Sequence, residues 1–386
     1  MAAWRPQLYR QTGRQQKVDP VALKNAVEIG KHTISVHPDL PPVFTLRHLA
    51  HLTSVDYGLL RAIIRRELED PYKVFRIKKA VSDQKEKQFR IICVPDPGLM
   101  QVQKWISKKI LSKGKVHSAS VAYQPGSKLL DAATVHCNCR WLIKLDVRNF
   151  FESISEISVY RSFLALGYQP LVAFEMARLC TRLGSNTVLR RKQRWRSNSV
   201  QYPTIKAYQA RRMGHLPQGA PTSPMLSNLA MYDFDERIST IADQYNLTYT
   251  RYADDMCLSS QEEDFTRGLA RTVIGAVYTE MARSGLSPNV TKTRIATPGA
   301  RKIVLGLVVD GDRPRLPREF RARLRQHLYY LQPDKAGPVE HAKRRNFGAV
   351  AGLRNHVRGL ITFARQIEPT FAKQCEQLFA KVVWPL

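Results

Sequence analysis

The chain has 386 residues, 44% hydrophobic and 24% charged, enough for two or three subdomains around a sizeable core, which excludes collagen-like and wholly disordered classes. Its 61 Lys and Arg outnumber 32 Asp and Glu, giving +29, a charge that repels itself unless a polyanion neutralises it, so nucleic acid is the first partner expected. Six cysteines are too few for a disulfide scaffold, so they read as reduced thiols, the Cys137/Cys139 pair included; with neither an apolar signal stretch nor a segment long enough to span a bilayer, a cytoplasmic protein without membrane contact is expected.

Residues 1–42 read as an N-terminal extension around one helical stretch, Ala22–His32, whose role is not legible. Leu49, Leu52, Leu59, Leu60, Ile63 and Ile64 then recur at helical spacing, with Asp56 as the cap of the second of two short helices. Tyr72–Ala80 and Lys87–Asp96 alternate apolar and polar residues around a polar turn, the pattern of a hairpin, and Gly98–Gly114 returns to helical periodicity. Arg140–Val147 is an apolar strand carrying Asp146, Val172–Leu183 an amphipathic helix, and Asn246–Ser260 two short strands broken by a polar turn. Between helix and hairpin lies a basic insertion near 185–215 with Trp195, Tyr202 and Tyr208, either a solvated loop or a nucleic-acid contact that pairs Arg with stacking rings. Arg301–Glu319 reads as two strands around the turn Asp310–Pro314, and three basic amphipathic helices, 320–331, 349–366 and 370–383, complete an α+β pattern.

Three carboxylates stand out by position. Asp146 ends an apolar strand, and Asp254 and Asp255 occupy the turn of a hairpin 108 residues beyond it. Adjacent residues of a regular strand point to opposite faces, so the tandem pair converges on one site only if the chain turns there. A cluster of three such groups needs cations to stay ionised, and oxygen-only donors favour Mg²⁺. Two Mg²⁺ ions so held suit phosphoryl transfer, whereas Asp-Asp in a polar turn is, taken alone, ordinary turn chemistry.

The surrounding residues decide between these readings. Tyr252-Ala253-Asp254-Asp255 resembles the Y-x-D-D box of reverse transcriptases, and Leu216-Pro217-Gln218-Gly219-Ala220-Pro221-Thr222-Ser223-Pro224 resembles their L-P-Q-G-x-x-x-S-P box. Lys144–Phe151 resembles the first palm motif, and Arg90–Pro95, preceded by Lys79, the fingers motif. The resemblance implies a right-hand polymerase with fingers over 43–125, palm over 126–310 and a helical thumb over 311–386. It implies that Asp146, Asp254 and Asp255 hold two Mg²⁺ ions, that Arg90 and Lys79 meet the triphosphate of a dNTP, and that Tyr252 contributes to the substrate pocket. Gln218 and Gly219 would lie beneath the nascent base pair, the glycine letting backbone approach the substrate. Phe151 falls at the family's steric gate against a ribose 2′-OH, with Phe150 packed in the core. Lys292 matches a lysine suspected of protonating pyrophosphate, a solvated lysine being the alternative, and Gly306 and Leu307 match the primer grip.

The opening helices, with Tyr72, Phe75 and Lys79, and a thumb-sized ending without room for ribonuclease H or maturase regions, are similar to bacterial retron reverse transcriptases. That likeness implies a structured noncoding RNA as template and primer, priming from a guanosine 2′-OH, a branched RNA-linked DNA product, and antiphage defence alongside an effector protein. Arg354, His356, Arg358 and Arg365 would grip an RNA stem through phosphates and 2′-hydroxyls. Two departures leave a neighbouring class of defence-associated reverse transcriptase open: the N-A-x-x-H signature becomes Ala132-Ala133-Thr134-Val135-His136, and V-T-G becomes Val304-Leu305-Gly306. A catalytically silent RNA-binding protein on the same scaffold is the other alternative, against which the intact Asp146, Asp254 and Asp255 speak.

Overall fold

The computed structural model describes residues 4–68, 70–78, 89–124, 126–183 and 213–385. Lys79 and nearly all of the basic insertion, with Trp195, Tyr202 and Tyr208, lie outside the described residues.

A four-stranded antiparallel sheet, ordered β4-β5-β3-β6, forms the centre: β3 is Trp141–Asp146, β4 Thr248–Tyr252, β5 Asp255–Ser260 and β6 Arg294–Ala296. Leu142, Ile143 and Leu145 of β3 are all buried, as befits a strand flanked on both edges and covered on both faces. The expected first hairpin is β1 (Tyr72–Lys78) against β2 (Phe89–Pro95), in register from Tyr72 opposite Pro95 to Lys78 opposite Phe89. Asp56 caps the Tyr57–Arg65 helix by accepting from Leu59 N–H at 2.7 Å, which satisfies one of the donors that a helix start leaves free.

The expected strand pair near residue 310 differs. β7 (Ile303–Val304) and β8 (Leu307–Val308) turn at Leu305-Gly306, both with positive φ, so the chain reverses earlier than the Asp310–Pro314 signal. That later turn is closed only by the bridge between Val308 and Arg315. A two-residue turn with left-handed residues matches strand twist, whereas Pro314 cannot donate to a ladder.

One hydrophobic core runs from Leu40 to Leu286 across the expected fingers and palm; a second joins Ala133, Leu142 and Cys257 to the last four helices. Those helices are Arg318–Tyr330, Gly337–Arg344, Val350–Ile367 and Pro369–Ala380. The N-terminal segment forms two helices, Pro6–Gln15 and Pro20–Val36, the second anchored by Thr33 Oγ1 donating to Gly167 O at 3.1 Å. Arg182 and His215 exchange two backbone hydrogen bonds of 3.0 Å. Beneath them the buried Glu156 accepts from Arg66 (2.6 Å), Arg178 (2.7 Å) and Gly214 N–H (2.9 Å), fixing the strand-like approach to Leu216-Pro217-Gln218.

Candidate active site

The sheet register brings distant carboxylates together. β3 and β5 pair so that Asp146 stands directly opposite Asp255, and opposite residues of an antiparallel pair share a face with Cβ atoms roughly 5 Å apart. β4 and β5 are joined by the two-residue loop Ala253-Asp254, with Tyr252 opposite Asp255. Ala253 has φ of 56°, the positive value that the first residue of a tight hairpin turn needs. Val147 N–H donates to Asp254 O at 3.0 Å, so the loop is tied to the end of β3. The turn thus places Asp254 beside the pair that the register sets face to face.

A third segment closes in from the C-terminal side. Asn289 N–H donates to Asp146 O and Asn289 Nδ2 to Asp146 Oδ1, both at 2.8 Å. Lys292, at the end of a short 3-10 turn, reaches Asp146 Oδ2 at 2.8 Å. Asn289 was not expected from the sequence; its signal was only that it begins the turn carrying Lys292.

The electrostatics are those of crowded anions. Burial, then the charges of Asp255 and Asp146, push the Asp254 carboxyl from its ordinary 3.8 up to about 6. Burial also raises Asp255, against the pull of Lys144. As the side chains stand, no group of three His, Cys, Asp or Glu among the described residues closes around one point, and Asp146 is held by Lys292 and Asn289. The donor chemistry still fits a hard divalent cation: the ligands are oxygens and their mutual repulsion awaits more positive charge than one ammonium provides.

The loop rests on a buried ion pair absent from the sequence reading. Arg251 and Asp235 are both fully buried. Arg251 donates from Nε to Asp235 Oδ1 at 2.7 Å, from Nη2 to Oδ2 at 2.6 Å and from Nη1 to Ala253 O at 3.0 Å. Tyr249 donates its hydroxyl to Asp235 Oδ1 at 2.8 Å. Such a bidentate pair is rigid and satisfies both charges. An arginine inside the buried strand Thr248–Tyr252 was the one available signal; its partner, on the Tyr232–Gln244 helix, was not legible. His136 is the second support: fully buried, its ring nitrogens lie 2.7 Å from Ser259 Oγ and 2.7 Å from Thr250 Oγ1, and burial lowers it to about 4. It is a neutral bridge across β4 and β5.

Around this floor the other expected residues divide. Phe150 is buried in the core, while Phe151 is half-buried against it. Tyr252 and Phe151 each approach Tyr123, at ring centroids of 6.1 and 6.4 Å. Gly219 contacts fingers backbone: at φ 111°, a Cβ there would lie 2.9 Å from Ile92 Cγ2 and 3.1 Å from Cys93 O, and Cys93 N–H donates to Gln218 O at 2.7 Å. Its missing side chain therefore admits β2, where the sequence reading gave the close approach to the substrate. Arg90 is exposed on β2.

Gly306 is exposed at the β7–β8 tip, whereas Leu307 is fully buried against the helices, so its side chain is core packing of an ordinary buried strand and only the tip is open to a primer. On the Val350–Ile367 helix, Arg354, Arg358 and Arg365 share one flank, while His356, about 200° from Arg354 at 100° per residue, packs on Phe347. Arg365 is already paired with Glu376, Nε to Oε1 at 2.7 Å.

Comparison with known proteins places the chain. Residues 77–334 match the family model "Reverse transcriptase (RNA-dependent DNA polymerase)". The chain is 27% identical over 336 residues to the retron Ec86 reverse transcriptase of Escherichia coli, covering 86% of this chain and 92% of that protein. To the retron Ec83 reverse transcriptase of the same organism it is 27% identical over 301 residues, 78% of this chain and 84% of the other. Among solved structures, telomerase from Candida albicans in complex with a fragment of telomeric RNA aligns at TM-score 0.40 and 10% identity, over 79% of this chain and 56% of that one. The chain thus spans little more than half the telomerase chain.

Proposed function

Since the chain belongs to the reverse transcriptases and is an RNA-directed DNA polymerase of retron type, we propose that it copies part of a structured noncoding RNA into a branched, RNA-linked DNA. The observation that carries the chemical part is the register of Asp146 opposite Asp255 with Asp254 on the adjoining loop.

Two Mg²⁺ ions held by Asp146, Asp254 and Asp255 would supply activation of the attacking hydroxyl and charge neutralisation on the transferred phosphoryl group. The chain's own residues do the rest. The Lys292 ammonium, 2.8 Å from Asp146 Oδ2, holds a proton beside the site and delivers it to the departing pyrophosphate. Arg90 and Lys79 balance triphosphate charge as it moves to the leaving group. Phe151 excludes a 2′-OH, so dNTPs are the substrates. Gln218 and Gly219 lock the floor of the nucleotide pocket to β2, and the exposed Gly306 tip borders the primer end. Arg354 and Arg358 take RNA phosphates, and antiphage defence with an effector protein is the role that the retron likeness supports.

Extension of a primed RNA template with dNTPs and Mg²⁺ tests the enzyme assignment. Asp254→Asn with Asp255→Asn should abolish synthesis while RNA binding remains; synthesis by that variant would refute the site. Sequencing the nucleic acid that co-purifies with the protein tests the product: DNA covalently joined to RNA is expected, and RNA alone from an active preparation would refute it.

A further inference from the structure

Tyr123 carries a combination of features that the polymerase reading does not use. Its φ is 62°, a left-handed value that a bulky side chain adopts only when its surroundings impose it. The surroundings do so on both sides. Ala119 O accepts from Arg251 N–H at 2.7 Å and Val121 N–H donates to Arg251 O at 2.9 Å, so residues 119–121 run beside β4. Asn228 Nδ2 donates to Ala122 O at 2.7 Å, Ser120 Oγ to Asn228 Oδ1 at 2.9 Å, and Ala122 is fully buried. The chain is pinned up to Ala122, and the left-handed residue after it turns the ring toward Phe151 and Tyr252.

There the ring is not core filler. It is 36% exposed, its hydroxyl has no hydrogen-bond partner among the described residues, and it touches the rings of Phe151 and Tyr252 at centroid distances of 6.4 and 6.1 Å. These two rings come from separate elements, the short Phe150–Ser153 helix and the end of β4. Burial, then the charge of Asp254, push the Tyr123 phenol up to about 12, with Arg251 and Arg90 pulling the other way. The hydroxyl therefore stays protonated and uncharged at neutral pH.

We propose that Tyr123 is a positioning residue for sugar selection: its ring buttresses Phe151 against Tyr252 and so fixes the width of the pocket that admits deoxyribose and excludes ribose. The inference rests on the gate reading of Phe151. Phe151 packs on Phe150 at 5.4 Å on one side, and Tyr123 supplies a second side. Without it the gate ring is free to swing from the ribose position, as side chains at a cleft wall do when one packing partner is lost.

The test is the ratio of kcat/KM for dNTP to that for the matching rNTP on a primed RNA template, measured with the full chain. Tyr123→Phe keeps the ring and should hold the ratio within about twofold. Tyr123→Gly removes the ring while suiting the positive φ, so it should fold, and it should lower the ratio roughly tenfold or more. Phe151→Ala should lower it at least as far, and the double variant no further than Phe151→Ala alone, because the two rings act as one unit. A merely structural role would depress dNTP and rNTP use together and leave the ratio intact. An unchanged ratio in Tyr123→Gly alongside a collapsed one in Phe151→Ala would overturn the role of Tyr123 alone. An unchanged ratio in Phe151→Ala would overturn the gate reading and this inference with it.

Discussion

Replacing Asp235 by Asn removes one charge from a pair that has no solvent to fall back on. Arg251 and Asp235 are both fully buried, and the guanidinium makes two hydrogen bonds to this carboxylate, of 2.7 and 2.6 Å. Truncating one member of a buried pair leaves an uncompensated charge and costs about 3–5 kcal/mol. Tyr249 also loses an anionic acceptor at 2.8 Å. At about 2 °C per kcal/mol, suited to larger domains, melting should fall by roughly 6–10 °C. The assay is thermal unfolding followed by dNTP incorporation well below the melt, where activity should also drop because the Arg251 bond to Ala253 O, 3.0 Å, no longer holds the Asp254 loop in register. Adding Arg251→Met should restore much of the stability, since an apolar replacement of a buried pair is often neutral, without restoring activity, because the donor to Ala253 is gone. Melting of Asp235→Asn within about 2 °C of wild type would refute the reasoning, as would full activity in the double variant.

Two further outcomes follow from the same floor and its attachment to the fingers. Asp254 is raised from 3.8 to about 6 in the folded protein, so its carboxyl favours folding below the unfolded value and loses that contribution as pH rises through about 6. In metal-free protein Asp254→Asn should therefore gain stability over wild type as pH rises from about 4 to about 6, by at most about 3 kcal/mol for two units at about 1.36 kcal/mol each; parallel melts in chelator at about pH 4 and about pH 8 check it, and a gap that stays constant with pH would count against it. Gly219→Ala forces a Cβ to 2.9 Å from Ile92 Cγ2 at φ 111°, which should push β2 and Arg90 outward and raise KM for dNTP about tenfold or more; steady-state kinetics with an unaltered KM would contradict this.

The three candidate carboxylates, the Phe150/Phe151 pair, the β1–β2 and β4–β5 hairpins and the capped Tyr57–Arg65 helix were legible in the sequence because each is a local pattern: an alternation, a cap or a contiguous box. The Arg251–Asp235 pair, the His136 bridge and the reach of Lys292 to Asp146 were not, because each joins residues whose nearness depends on how helices and strands dock. His136 shows the difference well. As a sequence feature it was a fragment of an altered retron signature, and only its place under β4 and β5, 2.7 Å from each hydroxyl, makes it a strut.

The sequence by itself determined the chemistry available to this protein: acidic residues at a strand end and a hairpin loop, a polymerase's succession of boxes, and a positive charge suited to nucleic acid. Tertiary structure alone decided which atoms meet. Register set Asp146 against Asp255, docking carried Lys292 and Asn289 to the same carboxylate, and a left-handed residue turned Tyr123 toward Phe151. The physical reason is range: propensities and caps act over a few neighbouring residues, while hydrogen-bond register and burial act between segments that only the packed core brings into contact.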